Sequence, residues 1–278
     1  MLTGLSCEGL LPRTSLVELI MLAGENHFDA VDVPPALLRR SMSVMRIDDI
    51  RALLEEQNVR VGSFPTSACW IDDQKTFRDS LPGFMEDIHH YSALGCPVCH
   101  TFIMPSCEQD PAEWYQEAAE RIRILANLLA LSGMKLALEY VGPMDMRRRR
   151  RNPFIWNSSQ TLDWIDYIDR PNVGILLDSF HWFSAGETIQ DIRKIPEELL
   201  FHVHVNDAPT DDRSLLEDGK RCYCGEGVIP LNRFFSALKS KGYQGIAAQE
   251  VLTDRIPDET NSALAQKIRR SFFLSAGI

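Results

Sequence analysis

The chain alternates short apolar or β-branched runs with longer stretches of helical periodicity, and this alternation repeats eight times. Such a pattern is typical of βα units around a parallel sheet. Eight units in 278 residues predict a single (β/α)8 TIM barrel, one catalytic domain over residues 1–278. An open doubly wound sheet normally needs a glycine-rich loop after its first strand, and "GLSCEGLLP" supplies none. The predicted strands are residues 2–6, 30–33, 60–64, 99–104, 135–140, 173–178, 200–206 and 245–251.

Each of the last four predicted strands carries one strong metal-ligand side chain near its C-terminal end. These residues are Glu139 in "KLALEY", Asp178 in "VGILLDSFHW", His204 in "FHVHVND" and Glu250 in "GIAAQEV". In a TIM barrel the C-terminal strand ends converge, and a charge inside an apolar strand is costly unless it is paired or bound to a cation. The set therefore predicts one divalent metal ion. Three carboxylates and one imidazole suit Mn²⁺, Mg²⁺ or Co²⁺ best, while Zn²⁺ and Fe²⁺ remain options.

Taken singly, each of these residues has a simpler interpretation. The glutamates would be solvated residues at strand ends, and the histidines would be hydrogen-bonded core residues. The joint occurrence on four neighbouring strands favours the metal site. His202 shares a face of the strand with His204 but lies deeper. We therefore expect His202 to pack in the core or to contact a side chain that binds the metal, rather than the metal itself.

Five consecutive arginines, residues 147–151, stand out in a chain with a formal net charge of −10. Without them, 24 basic residues face 39 acidic ones, so most of the surface would repel a polyanion. We therefore expect no nucleic-acid partner. The run follows the fifth predicted strand, which places it in a loop at the catalytic mouth. Most of these arginines should be solvated or paired with acidic residues.

No apolar stretch has the length of a membrane span, and the N-terminus lacks the pattern of a signal peptide. We therefore expect no membrane partner and a cytoplasmic location. The seven cysteines are an odd number scattered through apolar segments, which favours reduced thiols. The pairs Cys96 and Cys99, and Cys222 and Cys224, lack zinc-ribbon spacing and are interpreted as structural thiols.

The chain resembles the sugar isomerase/epimerase family of the xylose-isomerase-like TIM barrels. The resemblance rests on "LALEYVGP", "LLDSFHWF", "VHVNDAP", "GEGVIPLNRFFSALKSKGYQGIAAQEV" and the eightfold βα order. This family is similar to D-tagatose 3-epimerases, hydroxypyruvate isomerases and inosose-processing enzymes. The resemblance implies a small sugar or sugar-derived substrate, and a homodimer or homotetramer.

The resemblance also implies how the strand-end residues divide the chemistry. Glu139 and Glu250 would be the catalytic acid/base pair, and Asp178 and His204 would complete the coordination of the metal. A metal bound to a carbonyl and an adjacent hydroxyl acidifies the carbon-bound hydrogen and stabilises the resulting enediolate. One glutamate would then remove the proton and the other would return it.

Three residues near these motifs are candidate substrate contacts. His181 occupies the histidine of the family's "LDxxH" motif, which implies contact with substrate oxygens. Asp207 in "HVND" could orient His204 or bind a substrate hydroxyl, and a turn before Pro209 explains it equally well. Glu226 in "CGEGVIP" resembles a family loop position near the site.

The basic contact to the substrate is less well defined. Several sugar epimerases place an arginine about six residues after the histidine of the seventh strand, where this chain has Thr210. The alternatives for this contact are Arg213, Arg221 and the arginine run. Within the run, Arg147 is nearest to the "EYVGP" turn, so we expect it to reach an anionic or polyhydroxylated substrate.

Three other functions fit parts of this pattern. A metal-dependent dehydratase or lyase of a keto-sugar or keto-inositol would use the same enolate and release water. A non-catalytic sugar-binding barrel is disfavoured because Glu139 and Glu250 are both present. An enzyme resembling endonuclease IV needs several zinc ions, and the second and third strands, which end in "AVDV" and "VGSFP", are expected to supply no ligands.

Overall fold

Eight parallel strands close into a barrel in the computed structural model, which describes residues 1–277. Each strand pairs with the strands before and after it in sequence, and β1 also pairs with β8. The predicted (β/α)8 fold is confirmed, and every strand boundary lies within two residues of its predicted position. The strands are β1 (Leu2–Ser6), β2 (Ala30–Asp32), β3 (Arg60–Pro65), β4 (Val98–Ile103), β5 (Lys135–Tyr140), β6 (Val173–Asp178), β7 (Leu200–Val205) and β8 (Ile246–Gln249).

Helices follow the strands and cover the outside of the barrel. Many begin at residues that cap free backbone N–H groups; Ser15 accepts from Glu18 N, and Asp110 accepts from Ala112 N. The helices are α1 (Leu16–Glu25), α2 (Pro35–Met42), α3 (Ile47–Glu56), α4 (Gln74–Ala93), α5 (Pro111–Ala130), α6 (Met144–Arg147), α7 (Ser158–Ile168), α8 (Ser179–Ser184), α9 (Ile189–Lys194), α10 (Leu231–Ser240) and α11 (Asn261–Ala276).

The main apolar core lies between the strands and the surrounding helices. Trp164 of α7 is fully buried there and approaches Trp70 and Phe154. Inside the barrel, Ala137 belongs to a small buried apolar cluster, two residues before Glu139 and on the same face of β5. The barrel interior therefore changes from apolar to polar toward the C-terminal ends of the strands.

The loops after β4 and β5 are joined by a short antiparallel ladder between Ser106–Cys107 and Asn152–Pro153. This ladder ties the arginine run to the mouth of the barrel. All seven cysteines are free thiols, and burial raises the pKa of Cys96 and Cys224. No helix within residues 1–277 combines the length and apolar character needed to cross a membrane.

Candidate active site

The four predicted strand-end ligands converge at the C-terminal mouth of the barrel. Glu139 and Asp178 belong to β5 and β6, His204 belongs to β7, and Glu250 directly follows β8. Each offers one ligand atom, and these atoms lie within 4.8 Å of one another. Both glutamates approach His204, whose Nδ1 atom lies 3.3 Å from Glu250 Oε2 and 3.8 Å from Glu139 Oε1.

Two buried atoms of this cluster have unused bonding capacity. Glu139 Oε1 and His204 Nδ1 have no hydrogen-bond partner among the described residues. A buried polar atom without a partner is unfavourable, and a cation between these two atoms would satisfy both. The donor set of three carboxylates and one imidazole therefore fits a divalent metal ion.

The two glutamates have different electrostatic environments. Burial raises the pKa of Glu139, and the neighbouring His204 only partly opposes this effect. Burial would also raise the pKa of Glu250, but His204 and Arg221 outweigh it and lower that pKa. In the metal-free arrangement, Glu250 is therefore the more strongly ionised carboxylate.

Arg221 is the main positive group beside the cluster. Its buried guanidinium donates to Asp178 Oδ2 at 3.1 Å, Glu250 Oε2 at 2.9 Å and Asp218 Oδ1 at 2.7 Å. It also lies 3.2 Å from His181 Nε2. Burial alone would lower the pKa of Arg221, but the three carboxylates raise it well above its usual value. Arg221 therefore offsets the negative charge of two candidate metal ligands.

Asp178 is held more tightly than the other three candidate ligands. Its Oδ1 atom accepts from the backbone N–H groups of Phe180 and His181, which begin α8. Its Oδ2 atom accepts from Asn206 Nδ2 at 2.9 Å as well as from Arg221. This carboxylate is fully buried behind Arg221, so Arg221 and a bound ion would have to share it.

Asp32 is a member of the site that the sequence interpretation missed. The expectation that the second strand supplies no candidate ligand is wrong, because Asp32 ends β2 and points into the barrel. Its Oδ2 atom lies 2.9 Å from His202 Nε2 and 3.3 Å from His204 Nε2. Burial would raise the pKa of Asp32, but His202 and His204 lower it. Asp32, His202 and His204 form a second group whose ligand atoms lie close enough to one another to hold a metal ion.

His202 lies deeper in the barrel than the candidate ligand His204, as the sequence led us to expect. Its Nε2 atom contacts Asp32 and lies 3.4 Å from Ser63 Oγ.

His100 of β4 is a further imidazole in the cavity, with its ring 5.4 Å from the ring of His204. Burial lowers the pKa of His100 to about 3, so this ring is neutral. The sequence signal for Asp32 was a single acidic residue within the apolar run "AVDV".

A cavity of about 420 Å³ opens above these residues. Three of the four strand-end residues line it, as do His181 and Arg221 among the predicted substrate contacts. Its volume suits a ligand of the size of a small sugar. Other lining residues are Glu8, Asp32, His100, Thr101, Phe102, Met104, Met146, Arg149 and Asp218.

Arg147 does not line this cavity, contrary to the expectation for the arginine run. Its Nε atom donates to Gly142 O at 2.6 Å, and its Nη2 atom donates to Ser184 O at 3.0 Å. The guanidinium also lies 3.6 Å from the ring centre of Trp156. Through these contacts, Arg147 holds the loop after β5 against α8.

Asp207 also lies outside the cavity lining. Its Oδ1 atom accepts from Ala208 N at 2.9 Å and Ile229 N at 2.8 Å, and its Oδ2 atom accepts from Gly225 N at 2.9 Å. The aspartate therefore organises the loops after β7, in agreement with the turn-forming alternative.

The two remaining predicted contacts point elsewhere as well. Glu226 forms an ion pair with Lys267 at 2.9 Å. Arg213 packs 5.0 Å from the ring centre of Phe183. Neither residue lines the cavity.

The closed barrel and the cluster of carboxylates and histidine at its mouth define a TIM-barrel protein with a candidate metal centre. The chain belongs to the xylose isomerase-like TIM barrel family, which matches residues 20–272. This finding agrees with the resemblance noted in the sequence.

Two curated relatives are similar to part of the chain. Inosose isomerase of Bacillus licheniformis is 29% identical over 182 residues, which cover 64% of this chain and 62% of that protein. A 3-dehydroshikimate dehydratase of Pseudomonas aeruginosa is 30% identical over 138 residues, covering 49% of this chain and 20% of that protein. The aligned segments thus span less than two thirds of either relative.

Solved structures match over the whole chain. A xylose isomerase domain protein from Alicyclobacillus acidocaldarius subsp. acidocaldarius superposes with a TM-score of 0.91 and 31% identity, covering 100% of this chain and 98% of that one. The IOLI protein with a bound zinc atom has a TM-score of 0.88 and 18% identity, with the same coverage. The latter likeness establishes a shared fold.

Proposed function

We propose that this protein is a divalent-metal-dependent isomerase or epimerase of a small sugar, sugar phosphate or other sugar-derived substrate. The convergence of Glu139, Asp178, His204 and Glu250 beside a cavity of sugar size carries the proposal. The family match and the similarity to an inosose isomerase support this class of reaction.

In this proposal the four convergent side chains hold one ion, and Mn²⁺, Mg²⁺ and Co²⁺ suit the oxygen-rich set best. Zinc or Fe²⁺ is also compatible with it, and the zinc-bound IOLI structure supports a metal in this fold. The ion would polarise a substrate carbonyl and an adjacent hydroxyl, which lowers the barrier to loss of the carbon-bound proton.

The protein side chains would move that proton. Glu139 and Glu250 both line the cavity, and each has a carboxylate oxygen near His204 Nδ1, at 3.8 Å and 3.3 Å respectively. One carboxylate would remove the proton from the substrate carbon, and the other would return a proton to the neighbouring carbon or to the opposite face. Arg221 and His181 both line the cavity, and the Arg221 guanidinium would place positive charge near the substrate oxygens as negative charge develops there.

Isotope exchange tests this two-glutamate mechanism. Metal-loaded protein would be incubated in deuterated water with a panel of ketoses, sugar phosphates and keto-inositols, and deuterium uptake read by mass spectrometry. Glu250→Gln and Glu139→Gln should each slow the exchange by at least about 100-fold, because general acid–base catalysis typically contributes that much.

Glu226→Gln is the matched control, because this glutamate pairs with Lys267 outside the cavity. It should leave exchange at the wild-type rate. Metal content should be measured for every variant, so that loss of the ion is not mistaken for loss of proton transfer. Exchange at the wild-type rate in Glu250→Gln protein that retains its metal would contradict the mechanism.

The similarity to a 3-dehydroshikimate dehydratase favours a second candidate function, loss of water from a keto-sugar or keto-inositol. Removal of the first proton would be the same, and a further acid would then protonate the leaving hydroxyl. Glu8 lines the cavity, and burial raises its pKa, which suits that role. A product lighter than the substrate by one water would identify a dehydratase, whereas an unchanged mass would identify an isomerase or epimerase.

A further inference from the structure

The arginine run is anchored at two points. At its start, Arg147 is bound to two backbone carbonyls, and the preceding Met146 O accepts from Ser106 Oγ at 2.8 Å. Near its end, Arg150 N donates to the same Ser106 Oγ at 3.2 Å. The ladder between Ser106–Cys107 and Asn152–Pro153 then fixes the end of the loop. The two arginines between these anchors have a defined position relative to the barrel mouth.

Arg149 is the member of this run that lines the cavity. Its Nη1 atom lies 3.6 Å from Met146 Sδ, and among residues 1–277 no carboxylate lies within ion-pair distance of it. Arg221 is the other arginine in the lining, and it is already bound to Asp178, Asp218 and Glu250. Arg149 is therefore the cavity arginine whose donors remain available to a ligand.

We propose that Arg149 binds an anionic group of the substrate, and that the substrate is accordingly an acidic sugar derivative with a carboxylate or a phosphate. This inference rests on the proposed function and names the class of substrate for the same cavity. Arg149 is exposed at the mouth, whereas Glu139, Asp178 and His204 are buried and Glu250 is half-buried. The reacting carbons would thus face Glu139 and Glu250 while the anionic end faces solvent.

The chemistry of arginine supports this assignment. A guanidinium presents several N–H donors in a planar fork that matches the oxygens of a carboxylate or phosphate. The carboxylates that surround the reaction centre would repel an anion there, so the charged end of the substrate should lie at the opposite end of the cavity. A neutral ketose has no group that would form this ion pair.

Arg149→Ala tests the proposal, with Arg148→Ala and Arg151→Ala as matched controls. All three variants remove one positive charge from the same loop, but only Arg149 lines the cavity. Equilibrium binding to the metal-loaded protein would be measured by calorimetry for D-fructose, D-fructose 6-phosphate and 2-keto-D-gluconate. These probes represent a neutral ketose, a phosphate and a carboxylate.

We expect wild-type protein to bind at least one anionic probe more tightly than D-fructose. Arg149→Ala should weaken binding of that probe by about 10- to 100-fold, the range expected for loss of a hydrogen bond to a charged group. Binding of D-fructose should weaken much less, and both controls should match wild-type protein. The probe that responds distinguishes a phosphate from a carboxylate.

Three outcomes would overturn the inference: wild-type protein prefers the neutral probe, all probes weaken equally in Arg149→Ala, or Arg148→Ala has the same effect as Arg149→Ala. Calorimetry of binding reads affinity rather than proton exchange, so its result is independent of the isotope-exchange test. Selective loss of anion binding without any exchange would refute the proposed function while upholding the role of Arg149.

Discussion

Asp32→Asn should weaken metal binding even though Asp32 is not one of the four proposed ligands. The Asp32 carboxylate accepts a hydrogen bond from His204 Nε2. When His204 binds a metal as a neutral imidazole, this bond would keep the ring proton on Nε2 and leave the Nδ1 lone pair for the ion. An asparagine keeps the size of the side chain but loses its charge and half of its acceptor capacity.

The size of the effect follows from the contacts of Asp32. One oxygen of this carboxylate serves both His202 at 2.9 Å and His204 at 3.3 Å, and the site is buried from water. Loss of a partner that orients a ligand histidine typically reduces metal affinity by about 10- to 100-fold. We expect a decrease in this range for Mn²⁺ and Zn²⁺, equivalent to about 1.4–2.8 kcal/mol of binding free energy.

The assay is competition with a fluorescent chelator at neutral pH, combined with ¹⁵N spectra of the histidine rings in metal-free protein. Asp87→Asn is the matched control, because Asp87 is a buried aspartate that pairs with Arg39 outside the cavity. We expect this control to leave metal affinity unchanged, whatever its effect on stability. A folded Asp32→Asn protein with wild-type affinity and an unaltered His204 spectrum would refute the positioning role of Asp32.

Three further predictions concern stability. Gly142→Ala should lower both the melting temperature and kcat, because a Cβ atom there would overlap His181 O and Ser184 Oγ; unchanged values would show that α8 can move away. Trp164→Ala should lower the unfolding free energy in urea by about 3–5 kcal/mol, since it removes a fully buried side chain, and a loss below about 1 kcal/mol would indicate repacking. Removal of metal with a chelator should lower the melting temperature, and added Mn²⁺ should restore it, because an ion that binds only the folded cluster stabilises the folded state. A melting temperature that responds to neither treatment would argue against a bound ion.

The fold was predictable from sequence because its signal is repeated eight times along the chain. A strand buried on both sides reads as a short apolar run, and β5 and β6 were located at Lys135–Tyr140 and Val173–Asp178 without error. Parallel strands also place their C-terminal ends at one mouth, so the convergence of Glu139 and Asp178 with His204 and Glu250 follows from the fold. Their binding of a metal is a separate proposal that the measurements above test.

Asp32 was missed for a reason that applies to any site assembled across a barrel. It lies on β2, and its partners are on β7, on the other side of the barrel interior. A single acidic residue in "AVDV" carries no sign of a partner 170 residues away. The Asp32 carboxylate comes within hydrogen-bond distance of His202 and His204 only because the sheet closes into a narrow barrel.

The arginine run shows a different limit of sequence interpretation, because its five members are chemically identical. The sequence placed the run correctly in the loop after β5, but the distance from the preceding turn wrongly favoured Arg147. Arg147 is nearer to the barrel, and for that reason it binds the carbonyls of Gly142 and Ser184. Arg149 reaches the cavity because Ser106 holds the backbone on both sides of it. The position of Arg149 thus depends on the hydroxyl of Ser106, whose two backbone partners lie 40 and 44 residues later in the chain. Which member of a charged run reaches a site can therefore be inferred only when the contacts of its backbone are known.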